Sequence, residues 1–353
     1  MHSGQHHIKA IAKLLIEKGA DINAQGGSFG SALGAASCGG HEAIAELLID
    51  NGADVNAQGG FYGNALQVAS YGGHEAIAQL LIDYGADVNA YGGHFGHALQ
   101  AASYLGHEAI VKLLIEEGAW VNAMGGHYGN ALQAAAHKGQ EAIANLLIDN
   151  GADVNQQGGD FGNALQAASI EGHEEIANLL IRKGADVNTQ GGDYGNALQA
   201  ASCEGHEAIA KLLIEEGACL NAQGGLYGDA LQAASHGGHK AIAKWLIDNG
   251  ANVNAQGGEY GNALQAALYE GHEAIAKLLI DNGADVNAQG GFYGNALQVA
   301  SYGGHEAIAQ LLIDNGADVN AAGEDFGDAL HAASYGGHEA IARLLIEIGR
   351  AHV

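Results

Sequence analysis

Residues Gly59 to Ala90 read GGFYGNALQVASYGGHEAIAQLLIDYGADVNA, and the rest of the chain is a series of variants of this stretch. Tyr91 completes a period of 33 residues. Glycine pairs open successive copies at Gly26, Gly59, Gly92, Gly125, Gly158, Gly191, Gly224, Gly257 and Gly290. Gly323 opens a further one, and no insertion breaks the register. A period of this length marks a repeat array. Within a copy the signals are local. Asn64 stands three residues before Gln67, the N-cap and N3 pair of a capping box, so an alanine-rich first helix starts there. It ends at Gly72 and Gly73, the second supplying a left-handed turn. His74-Glu75 opens a second helix whose apolar face is Ile77, Leu80, Leu81 and Ile82. Gly85 stops it, Ala86 to Asn89 leads out, and Gly92-Gly93 makes a hairpin-like turn. Neither helix reaches the ~12 residues of marginal independent stability, so each copy takes its stability from stacking on its neighbours. The expected fold is an all-α solenoid of stacked helix pairs with short turn fingers.

The periodicity assigns residues 1–353 to a single array, with a partial copy over 1–25, nine full copies over 26–322 and a shortened one over 323–353. The absence of proline, against 57 glycines, places the turns on left-handed glycines. A formal charge of −27 repels phosphate backbones and anionic lipid, which argues against nucleic acid and membranes as partners. Cys38, Cys203 and Cys219 are too scattered for a disulfide framework or a metal knuckle. With no signal-like segment and no run of about 18 apolar residues, the sequence reads as that of a cytoplasmic protein.

The stretch GHEAIAQLLIDNGADVNA resembles the ankyrin repeat, whose second helix and outgoing loop read GH-x-x-IV-x-LLL-x-x-GADVN. The resemblance covers the whole chain in register and implies an ankyrin solenoid with short β-turn fingers. Where ankyrin repeats read TPLH, this chain has Asn64-Ala65-Leu66-Gln67 and its copies: Asn replaces Thr as N-cap, Ala replaces Pro at N1 and Gln replaces His at N3. The GG-x-[YF]-GNALQAAS variant is similar to fungal ankyrin arrays found behind STAND or NACHT modules in immune-like receptors. No G-x-x-x-x-G-K-[ST] motif occurs, so that likeness extends only to a sensor arm. Leu47–Asp83 and Leu278–Asp314 are identical over 37 residues, seven periods apart, which points to recent duplication or exchange between copies.

Repetition itself argues against an active site, which needs one asymmetric cluster. The GH histidines, such as His74 and His107, lack the second histidine of HExxH and are expected to make structural hydrogen bonds. The ring at the fourth position of each copy, Phe29, Tyr62, Phe95, Tyr128, Phe161, Tyr194, Tyr227, Tyr260, Tyr293 and Phe326, is expected to form a structural ladder. No catalytic residue, metal or cofactor is expected. Variation concentrates at two places. After the glycine pair it runs through Phe61, His94, His127, Asp160, Asp193, Leu226, Glu259 and Phe292, and near the first helix's end through Tyr71, Tyr104, His137, Ile170, Cys203, His236, Tyr269 and Tyr302. The resemblance implies that these positions line a concave face that grips a protein partner, with the chain a monomer able to stack end to end. The alternative is an architectural spacer or a consensus-like scaffold with no specific partner.

Overall fold

The computed structural model describes residues 2–291, 294–323 and 327–351. Its 21 helices form paired stacks: the helix His2–Glu17, then a first helix of seven or eight residues and a longer second helix in every repeat. The only strand-like pairings among the described residues are isolated bridges at the fingers. The architecture is an all-α repeat solenoid. The helices gather into two compact units, one of residues 1–168 with 179–185, the other of 169–178 with 186–353.

In the first unit, Asn64 is extended (φ −93°, ψ 175°) and its Oδ1 accepts from the Gln67 amide at 2.9 Å, while the Asn64 amide donates to Gln67 Oε1 at 2.7 Å. The same reciprocal box forms at Asn130 and Gln133. In the second unit it forms at Asn295 and Gln298. Gln67 has a further duty that capping alone does not reveal. Its Nε2 reaches carbonyls of the next finger, Ala90 at 3.1 Å, Gly92 at 3.0 Å and Gly96 at 2.8 Å. Gln133 does the same to Gln156, Gly158 and Gly162. One buried amide therefore caps its own helix and ties down its neighbour's turn, satisfying polar groups that burial would otherwise penalise.

The second helix buries a narrower stripe than its sequence suggests. Ile77, Ala78 and Leu81 are buried, whereas Leu80 and Ile82 are only half-buried. At 100° per residue, positions 78 and 81 lie within 100° of Ile77, while 80 and 82 fall off either edge of that stripe. First helices stack on first helices through small side chains such as Ala65, Val68 and Ala69, all fully or almost fully buried.

A second set of ties runs along the loops after the second helices. Asn56 Nδ2 donates to Gly85 O at 3.0 Å, and the Asp87 amide donates to Asn56 Oδ1 at 2.8 Å. Asn89, Asn122, Asn254 and Asn287 repeat the carbonyl contact one repeat further on. Asp87 also folds back to accept from the Asn89 amide at 2.9 Å. Trp120 occupies the aspartate position and keeps the backbone tie to Asn89 at 2.7 Å, but an indole cannot accept from the Asn122 amide. Restoring the acceptor with Trp120→Asp is expected to raise stability by about 0.5–1 kcal/mol, one net hydrogen bond, measured as a rise in the urea midpoint.

Candidate functional site

Each fully described finger is a five-residue turn closed at its base. The Gly92 amide donates to Gly96 O at 2.8 Å, and Gly93 sits at φ 62°, a conformation natural to glycine. A Cβ on Gly93 would also lie 2.3 Å from the Tyr62 carbonyl carbon, so the glycine is required by the preceding finger as well as by its own turn. Consecutive fingers are joined at the residue after the glycine pair. The Phe61 amide donates to Ser28 O at 2.8 Å and the His94 amide to Phe61 O at 2.9 Å in the first unit. In the second, Leu226 donates to Asp193 O at 3.0 Å and Glu259 to Leu226 O at 2.9 Å. This one-bond-per-repeat ladder fixes the backbone while leaving each side chain at the tip.

At those tips Phe61 stacks on His94 with ring centroids 4.8 Å apart, His94 on His127 at 6.0 Å, and His127 Nδ1 meets Asp160 Oδ2 at 2.5 Å. Phe61, His127, Asp160, Asp193, Leu226 and Glu259 are exposed and His94 is half-buried. Phe292 lies outside the described residues, as do the ring positions Tyr293 and Phe326.

The positions at the first helix's end behave differently from the sequence expectation, which kept them apart from the structural rings. The two sets interleave. In the first unit the order is Tyr62, Tyr71, Phe95, Tyr104, Tyr128, His137 and Phe161, with successive centroids 4.6, 5.6, 5.3, 4.4, 5.5 and 4.4 Å apart. In the second, Tyr227, His236, Tyr260 and Tyr269 follow at 5.0, 4.8 and 5.2 Å. Tyr302 stacks on Tyr335 at 6.1 Å. The helix-end side chains are thus both packing and surface. His137 and Cys203 retain only 8% and 7% of their exposure, because a neighbouring ring covers each. Tyr71, Tyr104, Ile170, His236 and Tyr302 are half-buried, and Tyr269 is exposed.

Burial pushes the Cys203 thiol up to about 11 and holds His236 below the ordinary imidazole value, so at neutral pH one is a thiol and the other a neutral ring. Neither state suits nucleophilic attack by Cys203 or anion capture by His236. Among the described residues no group of three or more His, Cys, Asp or Glu is placed to hold a metal.

Some members of this face are not evident from the two variable columns. Lys138 lies over the Tyr104 ring, 4.9 Å from its centroid. Tyr194 donates its hydroxyl to Glu204 Oε1 at 2.7 Å, and Glu270 approaches His236 at 4.0 Å. The signal available was a third variable column, the residue immediately after the helix-end position, which runs through Leu105, Lys138, Glu171, Glu204 and Glu270.

A family model described as ankyrin repeats, in three copies, matches residues 1–92, 94–158, 132–224, 223–290 and 265–353. The chain belongs to the ankyrin repeat family. No curated protein matches it significantly. Ankyrin repeats are generally protein–protein interaction modules and generally non-catalytic. Within these ankyrin repeats the GH histidine serves the face directly. His74 Nε2 donates to Cys38 O at 2.9 Å, His107 to Tyr71 O at 3.1 Å, and in the second unit His272 to His236 O at 3.0 Å. Each histidine anchors the helix-end residue of the repeat before it through this hydrogen bond. No described helix is long and apolar enough to cross a membrane.

Proposed function

We propose that the chain binds a protein partner, without catalysis, through its finger tips and first-helix ends. The observation that carries this reading is the ladder at the residue after the glycine pair: a constant backbone presents side chains that change from phenylalanine through histidine and aspartate to leucine and glutamate along the array, and the large apolar ones, Phe61 and Leu226, stay 55% and 52% exposed. The two units offer different chemistry. The first presents Phe61, His94 and His127 over a tyrosine layer, suited to apolar and aromatic groups at low entropy cost. The second has Asp193 and Glu259 on the fingers either side of Leu226 and Glu204 and Glu270 beside Tyr194 and His236, suited to a lysine- or arginine-bearing segment with an apolar anchor. The acidity of this strip favours a protein over nucleic acid. In its fuller form the reading makes the chain the sensor arm of a fungal STAND- or NACHT-type receptor. That form rests on the GG-x-[YF]-GNALQAAS resemblance, and the 37-residue internal identity suits an array that changes its repeat number quickly.

The test replaces tips, since alanine at Tyr71 or Tyr104 would also remove interlocked packing. Affinity capture with the chain, quantified by mass spectrometry, is compared with a Phe61→Ser, His127→Ser, Leu226→Ser, Glu259→Gln variant of unchanged thermal stability. Specific captured proteins are expected to fall at least ten-fold; undiminished capture removes the face from the function.

A further inference from the structure

The end of the second helix carries a chemistry that neither the fingers nor the ring layer uses. Five of these helices run into an Asn-Gly step, at Asn51, Asn150, Asn249, Asn282 and Asn315. Glycine offers its backbone nitrogen with no side chain in the way, so this step is open to attack of that nitrogen on the asparagine side chain. A bond forms between the glycine nitrogen and Cγ, and the Cγ–Nδ2 bond breaks. The glycine amide proton leaves with Nδ2 as ammonia, and a five-membered succinimide remains. Water then opens either imide carbonyl, giving aspartate or isoaspartate. Four of the sites lie in one and the same octapeptide, LLIDNGAD, at residues 47–54, 146–153, 278–285 and 311–318. Their local sequence is identical, so a difference in rate between them in the folded chain comes from the structure around them.

All five asparagines are exposed, and water reaches them. What the fold withholds is the reactive geometry. Their ψ angles lie between 9° and 19°, so the glycine nitrogen nearly eclipses the asparagine's own nitrogen and is turned away from its side chain. Ring closure needs it to eclipse Cβ instead. Both reacting groups are also tied. At Asn150 the side-chain Nδ2 donates to Leu146 O at 2.8 Å, and the Gly151 amide donates to Ile148 O at 3.0 Å. The same two bonds hold the other four sites. A further tie comes from the preceding repeat: Asn122 Nδ2 donates to Gly151 O at 2.9 Å, and Asn122 Oδ1 accepts from the Asp153 amide at 2.8 Å. Turning the Asn150–Gly151 peptide into the reactive geometry breaks the Gly151 amide bond and draws the Gly151 carbonyl away from Asn122.

We propose that these five asparagines are latent modification sites, closed by the folded repeat and deamidated when its last helical turn opens. The product holds the turn open. An aspartate at position 150 has no proton to donate to Leu146 O, and it sets a negative charge at the negative end of the helix dipole. An isoaspartate also adds an atom to the main chain just ahead of the left-handed Gly151, φ 89°, which displaces the carbonyl that Asn122 holds. The array thereby keeps a covalent record, one added negative charge per site, of where it has opened. When opening and closing outpace the chemistry, each rate follows the open population of its own repeat.

The measurement is site-resolved mass spectrometry of the full chain held at mildly alkaline pH, scoring the mass gain and the isoaspartate at each Asn-Gly step. The reference is an acetylated and amidated LLIDNGAD peptide. The peptide is expected to react at least ten-fold faster than any of the four identical sites in the folded chain, and in denaturing urea the four should converge on its rate. Asn122→Ala, an exposed substitution, releases Gly151 and is expected to raise the Asn150 rate at least three-fold while leaving Asn282 unchanged. Folded-chain rates equal to that of the peptide overturn the proposal. So does an Asn122→Ala chain in which Asn150 is no faster, or in which all sites speed up alike. The comparison with the peptide uses no variant and decides the matter even where Asn122→Ala fails to fold.

Discussion

Asp229→Asn is expected to stabilise the protein at pH 7 by about 1–3 kcal/mol, a pKa difference of about two units expressed as free energy. Asp229 holds the N-cap place that asparagine fills in most repeats, and it is almost completely buried. Its carboxylate accepts from the Gln232 amide at 2.9 Å and from Gln223 Nε2 at 3.1 Å. Burial outweighs these bonds and raises its pKa from 3.8 to about 6. The unfolded chain therefore releases this proton near pH 4 and the folded one near pH 6. The group's contribution is most favourable below about pH 4, declines as pH rises between the two values, and is constant above them. Asparagine removes that decline while keeping the oxygen that caps the Gln232 amide. Urea midpoints at pH 4 and pH 7 give the result directly. Equal pH dependence in the two proteins, or a less stable variant at pH 7, would mean that the helix dipole holds the carboxylate comfortably ionised.

Leu147→Ala is expected to cost about 2–5 kcal/mol, as deletion of a fully buried leucine does when the surroundings cannot collapse. Leu147 is fully buried in the second helix Glu141–Asp149. Leu15→Ala makes the same chemical change at the equivalent position of the helix His2–Glu17, where the leucine is 55% exposed, and is expected to cost less than about 1 kcal/mol. Chemical denaturation of both variants measures the contrast. Near-equal losses would show that Leu15 is covered in solution.

Much of the fold was legible because its signals repeat. Asn64, Gly73 and Gly85, and Gln67 in its capping bond, are local, each acting on backbone within a few residues, and the structure places all four where their chemistry requires. The width of the buried stripe was less so: Leu80 and Ile82 look as apolar as Leu81, and only the direction of the neighbouring first helices separates them. The candidate face was half legible. Variability marked the tips, but it gave no sign that Tyr71 and Tyr104 interleave with Tyr62 and Phe95, because ring stacking across repeats joins positions 24 and 9 residues apart in alternation. Lys138 and Glu204 were missed because a single changed residue in a repeat looks like drift until the ring or hydroxyl it touches is seen.

The ties described above share a property of reach. The glutamine bonds span 23 to 29 residues, the asparagine bonds 29 and 31, and the histidine bonds 36, so each joins a repeat to the one beside it. Removing or adding one whole period inside a unit brings an equivalent donor opposite most of these acceptors, the departures being Gln140 in the histidine place and Trp120 in the aspartate place. Unequal crossing-over in register is then structurally silent in the scaffold and changes only which side chains stand next to one another on the face. The segments Leu47–Asp83 and Leu278–Asp314, identical in sequence, are the kind of substrate such crossing-over uses.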